Sequence, residues 1–423
     1  MKKVLIISPY FPPCNAADMQ RVRMSLPFYQ DYGWKAEVVI VNSTCTDIGQ
    51  DALLLQSIPA SIKIHKIKAL SKKYTAKIGL GSLALRSLWF YKKYVDQLLK
   101  QEHFDLIYFS TTQFPVCILG AHWKNKFGIP YVIDLQDPWH STYYEDKPIN
   151  ERPKKYWFSY RLNKYLEPLA MKKVDGLISV SQAYLNTMHE RYPRTKLIPQ
   201  KVITFGAFEK DFEIAAVHSL QIKAAINPAQ GFKNIAYVGR GGFDMQDATR
   251  LLFKVFKELL ISNKKAYACF RFHFIGTSYA TKGQGVPSFM PIAKEMNLEE
   301  YVLEQTDRIG FYESIRTLQA ADALVVMGSN DPQYTASKIY PYILAQKPLL
   351  GIFNSQSSAY TIINNCSAGI VTALEREEKS KISLFLKGIL NNSLIFNPKW
   401  DHFKLYGAKS MTHSQCEIFD QMI

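Results

Sequence analysis

Three short stretches concentrate side chains suited to holding a phosphate or a sugar. In "YVGRGGFD", starting at Tyr237, an apolar run is followed at once by Gly239, Arg240, Gly241 and Gly242. Glycines there let the backbone approach a phosphate closely, and an arginine adds a two-pronged cation. In "YTASKIYPYIL", Thr335, Ala336, Ser337 and Lys338 stand where a helix begins. A helix start offers unpaired N–H groups and a partial positive charge to an anion, and Lys338 adds a full one. Pro341 then falls in the first turn, where its missing N–H costs nothing. In "YVIDLQDPWH", an apolar run ends on Asp134, Gln136, Asp137, Trp139 and His140. Carboxylates accept hydrogen bonds from sugar hydroxyls, and an indole packs on a sugar's C–H face. The two aspartates are spaced D-x-x-D rather than D-x-D, so no metal bridge to a diphosphate is read here. Upstream, Ser110, Thr111 and Thr112 follow the run "DLIYF" and offer hydroxyls to a polyol. Each stretch also has a plainer reading, since Asp137 or the Ser/Thr cluster could cap a helix and Trp139 could be core.

The elements that position these residues are legible as an alternation. "KVLIIS", "AEVVIV", "DLIYFS", "YVIDL" and "GLISV" read as buried strands of a first half. "NIAYVG", "FRFHFIG", "ALVVMG" and "PLLGIF" read as those of a second. Amphipathic stretches such as residues 248–260 lie between them, which predicts parallel α/β layers. The pattern restarts near residue 233, placing a boundary at about residue 205. In doubly wound sheets ligands sit beyond the carboxyl ends of the strands, where the three stretches lie.

Composition narrows the classes. The chain has 423 residues, a formal charge of +16 and 47% hydrophobic residues, enough for two ordinary domains and too apolar for disorder. Such a positive charge draws phosphates, on an anionic lipid, a nucleic acid or a diphosphate-linked substrate. No helix-turn-helix, zinc or RRM-type signature supports nucleic acid as a partner. Six scattered cysteines without C-x-x-C spacing fit a reducing cytoplasm better than a disulfide framework. The turn after the first strand, "SPYFPPCNAADMQR", has no glycine, so a dinucleotide site is not expected. The stretch 63–100 mixes lysines with Leu83, Leu88, Trp89 and Phe90, and reads as a basic-aromatic helix suited either to an anionic membrane surface or to plain solvation. "RPKKYWFSYRLNKY", from Arg152, repeats that composition.

In order along the chain, "VLIISPYFPP", "FDLIYFSTTQFP", "GIPYVIDLQDPW", "VDGLISVS" and "ITFGAFEKDF", then "IAYVGRGG", "FHFIG", "ADALVVMGS" and "SKIYPYILAQKPLL", resemble the retaining GT-B glycosyltransferases of the family 4 type. The resemblance implies two facing Rossmann-like, doubly wound domains with a cleft between them. The acceptor-binding one would span 1–205, the nucleotide-sugar-binding one 206–397, with a helix in 398–423 packing back on the first. It implies sugar transfer, with retention and without metal or other cofactor, from a nucleotide-diphosphate donor to a glycan or lipid-linked acceptor, in surface polysaccharide synthesis. The setting would be cytoplasmic, peripheral on the inner face of the membrane through residues 63–100. By the same resemblance, donor contacts fall to Gly239, Arg240, Gly241, Gly242, Gly276, Thr277, Tyr334, Thr335, Ala336, Ser337 and Lys338. Acceptor contacts fall to Ser110, Thr111, Asp134, Gln136, Asp137, Trp139 and His140, and catalysis to Arg240, Lys338 and Asp137. Three departures stand out. Asn15, Ala16 and Ala17 replace a glycine pair, Met245 replaces a lysine, and Pro341 occupies the place of the glutamate that holds the ribose, so either Asp331, Gln333 or Tyr334 takes its part, or the nucleotide is held differently, or transfer has been lost. The alternative is a protein of this fold that binds a nucleotide or glycan without transferring.

Overall fold

The computed structural model describes residues 1–140, 156–228, 231–331 and 336–423. The chain forms two compact units, Met1–Gly206 with Ala408–Ile423, and Ala207–Gly407.

The first unit is built on seven strands: β1 (Lys2–Ile7), β2 (Trp34–Val41), β3 (Lys63–Ile67), β4 (Leu106–Ser110), β5 (Tyr131–Leu135), β6 (Gly176–Ser179) and β7 (Gln200–Val202). They lie in the order β3-β2-β1-β4-β5-β6-β7, every pair parallel. Helices cover both faces of such a sheet, so its central strands are continuous apolar runs rather than alternating ones. Leu5, Ile7, Phe109, Ile133 and Leu177 face one core, where Trp123 stacks 5.9 Å from Phe109. The helix Ala408–Asp420 returns to this unit: Phe419 packs on Trp34 and Tyr108, and Gln415 accepts a hydrogen bond from Tyr29 Oη at 2.7 Å.

The second unit carries β8 (Lys233–Val238), β9 (Phe270–Ile275), β10 (Val302–Gln305), β11 (Ala323–Met327), β12 (Leu349–Phe353) and β13 (Ile370–Ala373), in the order β10-β9-β8-β11-β12-β13, again all parallel. Its core is phenylalanine-rich: Phe253 and Phe256 of the helix Gln246–Ser262 meet Phe272 and Phe274 of β9 edge to face.

Three expectations change. Residues 63–100 are not one helix: Lys63–Ile67 is the edge strand β3, whose "KIHKI" alternates as a strand does, and the helices Lys72–Thr75 and Leu83–Gln101 follow. The chain returns to the first unit at Ala408 rather than near Pro398, because Phe403 is buried in the second unit and Lys399 N–H bonds Cys366 O at 2.7 Å. Strands β3, β7, β10 and β13 join those expected from the sequence; each is short and lies toward an edge, where little apolar sequence is needed. No helix among the described residues is long and apolar enough to cross a membrane.

Candidate functional site

In the second unit the glycine turn sits at the carboxyl end of β8. Gly239 has φ +149°, and a Cβ there would come 2.7 Å from Lys338 Nζ, so only glycine lets the lysine lie against the turn. Gly241 N–H donates to Thr277 O at 2.8 Å, tying the turn to the end of β9. Tyr237, on β8, is the hub: its hydroxyl donates to Arg240 O at 2.6 Å and accepts from Lys338 Nζ at 2.6 Å. The Lys338 ammonium lies 4.6 Å from the centre of the Tyr237 ring. Burial, with the nearby Arg240 charge adding to it, brings the Lys338 amine down to about 7. Arg240 forms a two-pronged pair with Asp244, at 2.9 and 2.8 Å. The arrangement gathers two cations and a glycine backbone where an anion would be welcome.

The remaining donor-side residues are placed unevenly. Gly276 takes φ +73° at the end of β9, and Thr277 Oγ1 is spent on Glu304 at 2.7 Å, a carboxylate that also accepts the N–H groups of Ser288, Phe289 and Met290. Ala336 is buried and Ser337 exposed just before the six-residue helix Ile339–Leu344. Pro341 is its third residue, with Ala345 N–H bonding its carbonyl at 3.0 Å. Tyr334 and Thr335, and Gln333, lie outside the described residues. Met245 is buried, 3.3 Å from the Tyr237 hydroxyl, so it packs under the turn.

In the first unit the acceptor-side residues separate into two groups. Asp134 is fully buried: its Oδ2 lies 2.7 Å from Arg21 Nε and accepts from Ser110 Oγ, Tyr108 Oη and Gln136 Nε2 at 2.8, 3.2 and 2.9 Å. Arg21 in turn donates to the carbonyls of Ile203 and Thr204. Asp134, Ser110 and Gln136 thus join the helix Gln20–Ser25 to β4, β5 and the end of β7 as a packed polar node. His140 pairs with Glu167 at 3.2 Å, beside Arg191, and is likewise committed to the fold. Thr111 and Thr112 donate to Asp18 Oδ2 at 2.8 and 3.2 Å, and burial raises that carboxyl.

Asp137 and Trp139 behave differently. Both line a pocket of about 450 Å³ at the carboxyl ends of β4 and β5, with Thr112, Gln113, Phe114 and Asn163 among its walls. Trp139 is held by stacking on Phe114 at 5.2 Å and by an Nε1–H bond to Asn163 Oδ1 at 3.3 Å. The Asp137 carboxyl is pushed up to about 6, chiefly by the surrounding protein and then by the Asp18 charge. Sequence reasoning missed Tyr237, Asp244, Asp18 and Arg21. Asp244 was legible in principle, four residues after Arg240, whereas Arg21 meets Asp134 only through the tertiary fold.

Residues 68–203 match the model of Glycosyltransferase Family 4. No curated protein sequence matches the chain. Among solved structures, Anabaena HepE in complex with UDP and glucose aligns at 15% identity and TM-score 0.58, over 99% of this chain and 100% of that one. A Burkholderia xenovorans trehalose-phosphate synthase aligns at 10% identity and TM-score 0.59, over 99% and 100%. Staphylococcus aureus TarM, in complex with UDP, aligns at 10% identity and TM-score 0.56, over 99% and 100%. The two parallel-sheet units and these alignments give the chain the GT-B fold, and residues 68–203 match the Glycosyltransferase Family 4 model.

Proposed function

We propose that the chain transfers a sugar from a nucleotide-diphosphate donor, held by the second unit, to a glycan or lipid-linked acceptor held by the first, with retention and without a metal. The observation that carries the reading is the Gly239–Gly242 turn with Arg240 and Lys338 gathered at the end of β8. In the transfer, the bond from the sugar's anomeric carbon to the diphosphate breaks and one to the acceptor oxygen forms. The acceptor proton passes to the leaving diphosphate. Arg240 and Lys338 would meet the negative charge growing on that diphosphate, the role a divalent metal would otherwise fill. A uridine donor is the first choice, since the HepE and TarM structures are both complexes with UDP.

We further read the setting as the cytoplasmic face of a membrane, in surface polysaccharide synthesis. Trp89 is 61% exposed on the helix Leu83–Gln101, with Lys93 Nζ 5.2 Å from its ring, which supports contact with an anionic surface. Neutralising the lysines between Lys63 and Lys93 should release the protein from anionic vesicles in a sedimentation assay. Unchanged sedimentation would refute that part.

The testing experiment for transfer is a thermal-shift and calorimetric screen against UDP, GDP, ADP, CMP and their common sugars, followed by turnover. A ligand held only by the folded chain raises its melting temperature. A second reading, binding without transfer, draws on Pro341 and Met245 in place of the glutamate and lysine. Turnover that is lost in Arg240→Ala would exclude it.

A further inference from the structure

The pocket of the first unit has a polar spot on an otherwise committed lining. Thr112 is spent on Asp18, Gln113 Oε1 accepts Ala84 N–H at 3.2 Å, and Asn163 accepts from Trp139. Asp137 by contrast makes no side-chain hydrogen bond or ion pair among the described residues. Asp137 is exposed at the pocket wall, where its carboxylate is open to a hydroxyl donor that enters the pocket. The apolar part of the lining comes from Leu85, Phe114, Phe158 and Leu162, drawn from the two helices Leu83–Gln101 and Tyr156–Met171 and from the segment after β4. Gly79, at φ +83°, lets Phe158 close over the turn: a Cβ there would come 2.8 Å from its ring.

The same two helices carry an exposed aromatic-cationic surface beside the pocket. Trp89 lies one helical turn beyond Leu85, and Trp157 immediately precedes Phe158. They are 61% and 63% exposed, with Lys93 and Arg161 over their rings at 5.2 and 5.0 Å. Tryptophan with a basic neighbour, apolar at one end and wet at the other, suits the boundary between lipid headgroups and water.

Resting on the acceptor-binding reading of this unit, we infer that the pocket takes an amphiphile: a hydroxylated head group donating to the Asp137 carboxylate, and an apolar chain lying along Leu85, Phe158 and Leu162. The acceptor is therefore lipid-linked rather than a free glycan. The raised Asp137 carboxyl fits a group that is desolvated further when a head group seats on it, and its hydroxyl-accepting form prevails above about pH 6.

The test uses the full chain with octyl β-glucoside below its micellar concentration, methyl β-glucoside and maltotriose, each titrated by calorimetry and by saturation-transfer NMR. Octyl glucoside should bind at least about tenfold more tightly than methyl glucoside, with saturation on the alkyl protons, since each buried methylene adds to affinity. Leu85→Ser or Phe158→Ala, shown folded by circular dichroism, should erase the difference, and Asp137→Asn should weaken the octyl compound. Equal binding of the two glucosides, or tighter binding of maltotriose, would overturn the inference. So would loss of octyl binding in Trp89→Ala with Trp157→Ala but not in Leu85→Ser, since the chain would then lie on the surface. UDP-glucose stabilisation measured on the same samples separates the two levels. A response to UDP-glucose without the alkyl preference sinks the amphiphile alone, and absence of any nucleotide-sugar response counts against the transferase reading itself.

Discussion

The Arg240 guanidinium and the Asp244 carboxylate meet in a fork-to-fork pair, Nη1 to Oδ1 at 2.9 Å and Nη2 to Oδ2 at 2.8 Å, both groups about a third exposed. Gly242 makes room for it, since a Cβ there would come 2.5 Å from both Arg240 Nη1 and Asp244 Oδ1. A diphosphate seeking Arg240 must compete with this carboxylate. Asp244→Asn should therefore tighten UDP-glucose binding. A partly exposed pair is worth at most about 1 kcal/mol, so the gain should be about two- to fivefold. Calorimetric titration of the two proteins checks it, and weaker binding in the variant would mean that Asp244 orients Arg240 rather than competing for it.

Removing either cation should act on turnover more than on folding. Arg240→Ala and Lys338→Ala should each lose about 2–4 kcal/mol of transition-state stabilisation, by analogy with a lost oxyanion donor. Initial rates of transfer or donor hydrolysis, set beside melting curves of the same variants, give the comparison.

Lys338 gives the proposed donor site a pH dependence with a definite sign. Its amine titrates near 7 in the free protein, and a bound diphosphate favours the charged form. UDP-glucose affinity should be flat below about pH 7 and fall by up to about tenfold per unit above it. In the same window binding should take up protons, visible as a buffer-dependent heat. Lys338→Met should bind more weakly and show no such slope; an identical slope in the variant would assign the titration elsewhere.

Pro341 is open to a gain-of-function test. The family resemblance puts a ribose-binding glutamate at this position, the third residue of the helix Ile339–Leu344. A carboxylate there would accept the ribose hydroxyls, and hydrogen bonds to charged groups are worth about 1.5–3 kcal/mol. Pro341→Glu should then bind UDP at least about tenfold more tightly. Unchanged affinity would show that the ribose is held by other residues.

The Arg21–Asp134 pair predicts a stability effect without a ligand. Both side chains are fully buried, 2.7 Å apart, so truncating one strands the other's charge. Arg21→Ala should cost about 3–5 kcal/mol in urea unfolding, and Arg21→Met combined with Asp134→Leu should restore much of the loss.

What the amino-acid order settles by itself is the alternation of apolar runs and amphipathic stretches. Central parallel strands such as "KVLIIS" and "NIAYVG" must be apolar on both faces, so they declare themselves, and with them the two units and the glycine turn after β8. The edge strands β3, β7, β10 and β13 stayed hidden, because strands of three to five residues give a run too short to stand out from the stretches around them. Neighbours along the chain were legible in the site too: Gly239 to Gly242, and Asp137 with Trp139, lie where the ends of strands put them. Which of the expected polar groups stay available was decided only by the tertiary fold. Asp134, Ser110, Gln136 and His140 look as capable as Asp137 in the sequence, yet partners from distant segments, Arg21, Tyr108, Glu167 and Arg191, enclose them and engage Asp134 Oδ2 and His140 Nε2. A polar side chain enclosed in a core must be paired, and the pairing is made across the sheet rather than along the chain. Lys338 and Tyr237 are likewise a hundred residues apart in sequence and 2.6 Å apart in space, brought together because β8 and the helix that follows β11 pack side by side.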